Sequence, residues 1–332
     1  ARVLIGRDEA GVGRVFLPLQ VASTGFARPL AAPLADYHAP VVRDGDEVLI
    51  PRLLKSAGLQ AFGYFGLPAT DAAYSDYCRG RQGASMADMS MGFQAYMDER
   101  RSEFPKHFKN LRRKMRQIER DFGDIDVQFH EPREDILDTL IDWKRSQFQR
   151  TGLHDVLAPT WVAPMLKRCM HAKGDDFSGV LATMRIDGEL AAVEMDIRSG
   201  SLVHGWIAAY NPAFAAQSPG LILVMKLMEE GAKLGVTHYD FGVGEAQYKK
   251  YYTSYQFPVD DGLIPAESLS GWVRRSSGDA WRMMEQAPIG PAGKFAGRLR
   301  RRMDNILAVE TTVSGRARGF MRALNRQSPH SA

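Results

Sequence analysis

Apolar residues along the chain first form short runs and later recur at three- and four-residue spacing. Arg2–Arg7 and Gly13–Gln20 are rich in Val, Leu, Ile and Phe, which predicts two strands on either side of an Ala10-Gly11 turn. A helix over 44–58 and a strand over Leu59–Phe65 follow. The N-terminal region is therefore predicted to mix strands and helices.

A long polar helical stretch is predicted over 90–122, with an interruption before Pro105 and an end at Gly123. Its apolar residues repeat every three or four positions, which places them on one stripe of a basic helix. That stripe consists of Phe104, Phe108, Leu111, Met115 and Ile118.

From residue 125 the pattern predicts the element order β-α-α-β-β-β-α-β-α-β. Asp187-Gly188 and Ser199-Gly200 are typical of the tight turns that join neighbouring antiparallel strands. The predicted elements are strand Ile125–His130, helices Pro132–Arg150 and Pro159–His171, strands Ser178–Ile186, Leu190–Arg198 and Leu202–Tyr210, helix Pro219–Leu234, strand Val236–Phe241, helix Glu245–Tyr252 and strand Tyr255–Ile264.

Length and composition indicate an ordinary globular protein. The chain has 332 residues, of which 45% are hydrophobic and 25% charged, which favours two domains. No apolar run is long enough to cross a bilayer, and the first residues do not resemble a signal peptide. The two cysteines, Cys78 and Cys169, argue against a disulfide framework and favour a cytoplasmic location. No residues have the spacing of zinc ligands, so no metal is expected.

Positive charge is concentrated in two blocks, which predict contact surfaces for anions or, alternatively, solvated helix faces. Residues 99–120 hold nine Lys/Arg against three acids, and residues 294–326 hold nine against two. In the second block Arg298 and Arg302 stand one helical turn apart, with Arg301 beside them. This basic tail is expected to contact an anionic membrane surface or a phosphodinucleotide. No motif for nucleic-acid recognition accompanies the charge, so no nucleic acid is expected.

The segment Gln217-Ser218-Pro219-Gly220 has the character of a helix start. Ser218 suits the N-cap and Pro219 the first helical position, while Gly220 leaves room for close approach to the backbone. Free N–H groups at such an end can bind a pyrophosphate. A plain helix cap is the alternative interpretation.

A second candidate segment follows the strand that ends near Asp240. Two glycines come within four residues of that carboxylate, and Tyr248 and Lys249 follow. Ligands of open α/β sheets bind at the carboxyl ends of strands, so these side chains are candidates for one site. Asp240 could instead cap the following turn.

The segments Ser218-Pro219-Gly220, Tyr239-Asp240-Phe241-Gly242 and Glu245-Ala-Gln-Tyr248-Lys249 resemble the signature of the CelD-like acetyltransferases. These are relatives of the Fem-type aminoacyltransferases in the GNAT superfamily. The resemblance implies an α/β GNAT fold with two GNAT-like halves, mixed central sheets and a helical basic C-terminal tail. The expected domains are a partial GNAT-like half over 1–89, a basic helix over 90–123, a GNAT domain over 124–265 and the tail over 266–332.

The chain departs from the GNAT pattern at two points. Ile222 stands where the pyrophosphate loop of the superfamily has Gly or Ala. The N-terminal half begins at its second strand, so either the preceding elements lie upstream of this sequence or the half is reduced.

The resemblance also implies the reaction, an N-acyl transfer from acetyl-CoA or a longer acyl-CoA by direct attack on the thioester. The expected acceptor is an amino sugar of an envelope polysaccharide or of its lipid-linked precursor. A lipid amine is an alternative acceptor, and a non-catalytic scaffold that binds a cyclic dinucleotide is an alternative function. An enzyme of this kind is expected in the cytoplasm, peripheral to the inner membrane.

Residues are assigned to that reaction as hypotheses. Glu194 is the leading general base because it lies in the middle of an apolar strand, where desolvation raises a carboxyl pKa. His204 is the rival base or a relay, and Asp196 is a solvent-side or substrate-binding neighbour of Glu194. Tyr248 is the expected acid, Lys249 a phosphate or acceptor contact, and Asp240 the residue that orients one of these two. Gln217, Ser218, Gly220 and Leu221 are expected to hold the acyl-CoA, and Lys144, Gln147 and Arg150 to line the acceptor side.

Overall fold

The computed structural model describes residues 1–22, 24–42, 46, 49–69, 72–244 and 246–286. By its internal contacts the chain divides into two compact units. Unit 1 combines Ala1–Gly83 with the described residues from Pro258, and unit 2 is Ala84–Phe257. Unit 1 therefore takes residues from two separate parts of the sequence, and the residues of unit 2 lie between those parts in the chain.

The strands and helices contain the predicted elements in the predicted order, with further strands between them. They are β1 Arg2–Arg7, β2 Gly13–Val21, β3 Phe26–Pro29, β4 Val41–Val42, α1 Ile50–Ser56, β5 Ala61–Pro68, β6 Cys78–Asp88, α2 Phe93–Glu103, α3 Pro105–Asp121, β7 Ile125–Gln128, α4 Glu134–Thr151, α5 Val162–Met170, β8 Ser178–Ile186, β9 Glu189–Ser199, β10 Leu202–Tyr210, α6 Pro219–Lys233, β11 His238–Val243, α7 Lys249–Tyr252, β12 Tyr255–Pro265 and α8 Leu269–Gln286.

Unit 1 is a mixed sheet with α1 packed on it. The strands β1, β2 and β3 pair antiparallel in sequence, β4 adds to β2, and β12 pairs antiparallel with β5. Between β3 and β5 the pairing is parallel and runs through Phe26 with Ala61 and Ala27 with Phe62. Strand β2 buries alternate residues, among them Leu17 and Leu19, against Ile50 of α1. The alternation is the ordinary consequence of the two-residue period of a strand.

The sheet in unit 2 is mixed and has the strand order β6-β11-β10-β9-β8-β7. Its pairs are antiparallel except that of β10 with β11, which is parallel because α6 connects these two strands. This β-α-β arrangement repeats that of β3, α1 and β5 in unit 1.

Helices cover both faces of the sheet in unit 2. On one face, here called the α6 face, Val180, Ala182 and Val203 join the core that includes residues of α3 and α6. On the other, the α5 face, Gly179 lies so close to α5 that an added Cβ would approach the Cys169 carbonyl oxygen to 2.1 Å. Strand side chains alternate between these two faces, so the register decides which face each polar residue reaches.

Three strands of the structure were not predicted from the sequence: β3, β4 and β6. Strand β6 contains Arg79, Gly80, Arg81 and Gln82, and these residues lack the apolar alternation from which a strand is inferred. It forms because neighbouring strands pair with it.

None of the helices in the described part of the chain has the length and hydropathy needed to span a membrane.

Candidate functional site

An opening in the sheet of unit 2 lies between β10 and β11. The two strands pair in parallel through Leu202 with His238, Val203 with Tyr239 and His204 with Asp240. Beyond this last pair, β10 continues to Tyr210 and β11 to Val243 without further pairing between them. Strand β10 also has an irregularity between Gly205 and Ile207, which bends it away. Where the strands part, their facing backbone groups are not used in pairing with each other.

The start of α6 follows the connection that leaves β10. Ser218 adopts a left-handed backbone conformation, with φ 59° and ψ 51°, and Pro219 opens the helix. At Gly220 an added Cβ would meet no atom within 4 Å, so space lies in front of the helix start. The first N–H groups of a helix have no acceptor within the helix and carry partial positive charge. The expected helix start is therefore present, but Ser218 does not cap it with its side chain.

Lys114 brings a second positive group to the start of α6. Its Nζ donates to Ser218 Oγ at 2.6 Å and to the Ala216 carbonyl oxygen at 2.9 Å. A cation at the positive end of a helix is electrostatically unfavourable unless an anion binds beside it. The buried amide oxygen of Gln217 also has no hydrogen-bond partner among the described residues. Lys114 is a candidate donor-site residue that could not be identified from the sequence, because it lies 104 residues before Ser218.

Glu194 and Asp196 of β9 form a buried carboxylate pair on the α6 face. Glu194 is 5% exposed and Asp196 0% exposed. The Tyr239 hydroxyl lies 3.1 Å from Glu194 Oε1 and 3.4 Å from Asp196 Oδ2, and the Trp206 N–H donates to Asp196 Oδ1 at 3.2 Å. The expected solvent-side position of Asp196 is therefore wrong, since the whole side chain is enclosed by protein.

The pKa values of this cluster are shifted upward by burial. Desolvation raises the pKa of Glu194 to about 7, although the Tyr239 hydrogen bond and the charges of Lys144 and His204 oppose the shift. The pKa of Asp196 lies well above its usual range because of desolvation and the neighbouring Glu194 charge. Glu194 Oε2 has no hydrogen-bond partner among the described residues. A carboxylate with this pKa and a vacant oxygen can accept a proton near neutral pH.

Gly205 creates the space in which the cluster meets. It lies opposite Asp196 in the register, just beyond the last pair of β10 with β11. A Cβ at this position would come within 2.7 Å of the Tyr239 hydroxyl and 3.2 Å of Glu194 Oε1. A side chain at residue 205 would therefore displace Tyr239 or Glu194.

His204 and Asp240 form a second polar pair at the point where the strands part. His204 Nδ1 lies 2.9 Å from Asp240 Oδ2, and Asp240 Oδ1 accepts from the Gly242 N–H at 2.8 Å. The buried carboxylate thus holds His204 Nδ1 as a donor and fixes the orientation of the ring. The expected partner of Asp240 was Tyr248 or Lys249; in the structure Asp240 orients His204 instead.

Tyr248 and Lys249 lie near the end of β11 in different surroundings. Tyr248 packs against Phe241, and burial together with the charges of Glu194 and Asp196 raises its pKa, so its hydroxyl keeps its proton. The buried Lys249 Nζ donates to the carbonyl oxygens of Gly242 and Val243 at 3.1 and 2.8 Å. Lys249 therefore holds the strand end, and a phosphate or acceptor contact would require it to leave these carbonyls.

The predicted acceptor residues lie along α4. Lys144 Nζ donates to the Ala208 carbonyl oxygen at 3.0 Å, and Ala208 stands opposite Glu194 in the register. Burial lowers the pKa of Lys144 and the Glu194 charge raises it, so the two residues interact electrostatically. Gln147 is half-buried and Arg150 is exposed near the end of the helix.

Other predicted positions have different outcomes. The Leu221 carbonyl oxygen accepts from the Tyr252 hydroxyl at 3.2 Å, which joins the first turn of α6 to α7. Among the described residues no group of His, Cys, Asp and Glu could hold a metal ion. Arg298, Arg301 and Arg302 lie outside the described residues, as does Glu245.

Comparison with known families identifies one domain. Residues 105–250 match the family described as acetyltransferase (GNAT) domain. The matched range begins at the first residue of α3, the helix that carries Lys114, and ends just after Lys249. It therefore contains both polar clusters and the start of α6. No curated protein is significantly similar to the chain.

Solved structures share the fold at low sequence identity. FemX aligns with a TM-score of 0.53 and 12% identity, covering 83% of this chain and 90% of its own. L-PGS from Bacillus licheniformis gives 0.50 and 13%, covering 82% of this chain and 88% of its own. A C-terminal DUF2156 domain from Agrobacterium fabrum gives 0.51 and 12%, with 83% and 88% covered. These alignments extend well beyond residues 105–250, and the predicted GNAT fold class is confirmed.

Proposed function

We propose that this chain, a transferase that carries an acetyltransferase (GNAT) domain, moves an acyl group from acyl-CoA to an amine. The observation that carries the proposal is the position of Glu194. Its buried carboxylate, with a pKa of about 7 and a vacant Oε2, lies where β10 and β11 part. Lys114 and the start of α6 provide positive charge for the diphosphate of the donor.

Each step of the transfer has a candidate residue. Glu194 takes a proton from the attacking amine, directly or through a water molecule, as the nitrogen bonds to the thioester carbon. The C–S bond then breaks, and we assign to Tyr248 the protonation of the leaving thiolate, because its raised pKa keeps the hydroxyl protonated. His204, oriented by Asp240, faces the opposite side of the sheet and is the alternative base for an acceptor bound on that side. With Glu194 as the base we place the acceptor amine beside it, and Lys144, which interacts electrostatically with Glu194, supports that assignment.

For the acceptor we propose an amino sugar of an envelope polysaccharide or of its lipid-linked precursor. The support is the resemblance of the 218–249 segments to CelD-like acetyltransferases. A lipid amine is the second candidate. The Agrobacterium fabrum domain is assigned to a lysylphosphatidylglycerol synthetase, and a shared fold is compatible with such an acceptor.

The test is a calorimetric titration of the protein with acetyl-CoA and with a long-chain acyl-CoA. Gly220→Trp fills the space before α6 and should abolish binding. Gly13→Trp is the matched control, because an added Cβ there also meets no atom within 4 Å and the residue lies in unit 1. Chain-length preference and turnover with glucosamine or a sphingoid amine then separate the two acceptors. Failure of the wild-type protein to bind either donor would refute the acyl-CoA proposal.

A further inference from the structure

Four cations form one row along the exposed side of α3. Lys106, Lys109, Arg113 and Arg116 follow one another at steps of three, four and three residues, and all four are exposed. Residues at these steps stack on one side of a helix, so the row extends over about 15 Å. We call these four residues the α3 ridge.

The ridge carries uncompensated charge. In the part of the chain that the structure describes, none of its four side chains has an ion pair, whereas Arg120 further along the helix pairs with Asp121 at 2.7 Å. Arg112 and the acidic Glu119 lie exposed on one flank of the ridge, and Asn110 and Gln117 lie exposed on the other. Like charges one turn apart repel one another, and a bound anionic surface would relieve that repulsion.

The apolar side of α3 is already used within unit 2. Phe108, Leu111 and Ile118 belong to the core beneath the sheet and are at most 3% exposed. The helix therefore cannot turn its apolar stripe toward hydrocarbon, and the neighbours of the ridge on the surface are polar. Any membrane contact at this helix must be electrostatic and lie at headgroup level.

We propose that the α3 ridge binds the surface of a membrane that contains anionic phospholipids. A single straight row on a convex helix can meet a plane of headgroups with all four cations at once. A strand of nucleic acid or acidic polysaccharide is the competing occupant, and it would need to align with the row. The proposal is independent of the proposed catalysis, because adsorption requires no substrate.

Binding to the membrane would also orient the donor site. Lys114 lies on the same helix as the ridge and contacts the start of α6. Adsorption through α3 would thus hold the acyl-CoA site close to the headgroups. An acceptor attached to lipid would then reach the protein by diffusion in the plane of the membrane.

The experiment is cosedimentation of the full chain with phosphatidylglycerol-containing vesicles, with phosphatidylcholine vesicles as the neutral comparison. The ridge variant changes Lys106, Lys109, Arg113 and Arg116 to Gln. The control variant changes four scattered exposed cations, Arg2, Lys55, Arg168 and Lys173, to Gln and so loses the same charge. We expect the affinity of the ridge variant to fall about fivefold for each cation removed, and that of the control to fall much less.

Three results would overturn the proposal: equal losses in the two variants, full binding by the ridge variant, or binding of the wild-type protein to heparin or polyuridylate but not to vesicles. Thermal unfolding of each variant verifies that it is folded. Arg113→Glu provides a single charge reversal, in case the fourfold variant does not fold, and it should weaken vesicle binding more than Arg168→Glu.

Discussion

Glu194 and His204, the two candidate bases, lie on opposite faces of the same sheet. Asp196 stands opposite Gly205, and Glu194 is two residues from Asp196, so Glu194 shares the α6 face with them. His204 stands opposite Ile197 and beside Asp240, which places both on the α5 face. The two side chains therefore cannot both take a proton from the same substrate atom on the same side of the sheet. Mutation of each residue can distinguish their roles.

Glu194→Gln should remove the proton acceptor with little change in shape. Since the pKa of Glu194 is about 7, kcat/KM of the wild-type protein should rise with pH through about 7 and then level. The variant should lose this rise, and kcat should fall by about 10²–10⁴. Glu189→Gln, an exposed change on the same strand, is the control. A preserved rise in the Glu194 variant would exclude Glu194 as the base.

Tyr239→Phe should shift the rise of kcat/KM to higher pH. The Tyr239 hydroxyl donates to Glu194 and lowers its pKa, so removal of the hydroxyl should raise that pKa. The rise of kcat/KM then occurs at higher pH, and the activity of the variant should recover at alkaline pH. Tyr252→Phe also removes a buried hydroxyl, but the hydrogen bond that it breaks is to the Leu221 carbonyl oxygen. This control should therefore leave the pH dependence of kcat/KM unchanged. A downward shift in the Tyr239 variant would contradict the hydrogen-bond assignment.

Asp240→Asn should act through His204. The amide cannot accept the Nδ1–H in every orientation, so the ring loses its fixed position and kcat should fall at least about tenfold. The affinity for acetyl-CoA should stay within a factor of about two, since the proposed donor site lies at the start of α6. His204→Ala combined with Asp240→Asn should be no worse than His204→Ala alone. Additive losses would show that Asp240 acts separately. If His204→Ala alone abolished the rise of kcat/KM with pH, His204 would be identified as the base.

Lys114→Met should weaken the binding of acetyl-CoA about tenfold or more, which is the usual effect of losing one charge-assisted hydrogen bond. The loss should disappear with acetyl-pantetheine, which lacks the diphosphate. Lys109→Met on the exposed side of α3 is the control and should bind acetyl-CoA normally. Equal losses for both donors would indicate that Lys114 supports the loop and does not contact phosphate.

The elements of unit 2 could be predicted because local signals agree there. Strands Ser178–Ile186 and Leu202–Tyr210 have the predicted limits, since turn glycines and apolar runs mark their ends. The partners of the site residues could not be predicted in the same way. The bulge between Gly205 and Ile207 shifts the register of β10, and the contact of Lys114 with Ser218 depends on tertiary packing. The chain pattern therefore singled out Glu194, His204 and Asp240 as candidates, but it did not indicate which of them interact.

Asp196→Asn should stabilise the protein, and increasingly so as pH rises. The pKa of Asp196 is raised in the folded state, so the folded protein holds a proton that the unfolded chain has lost above its ordinary carboxyl pKa. Folding stability therefore decreases as pH rises above about 4, and an uncharged isostere removes that dependence. The amide can still accept from the Trp206 N–H and donate to the Tyr239 oxygen. The unfolding midpoint of the variant relative to wild type should increase by at least about 2 °C between pH 5 and pH 8. A constant difference across this range would mean that Asp196 is ionised in the folded protein, and the raised pKa would be wrong.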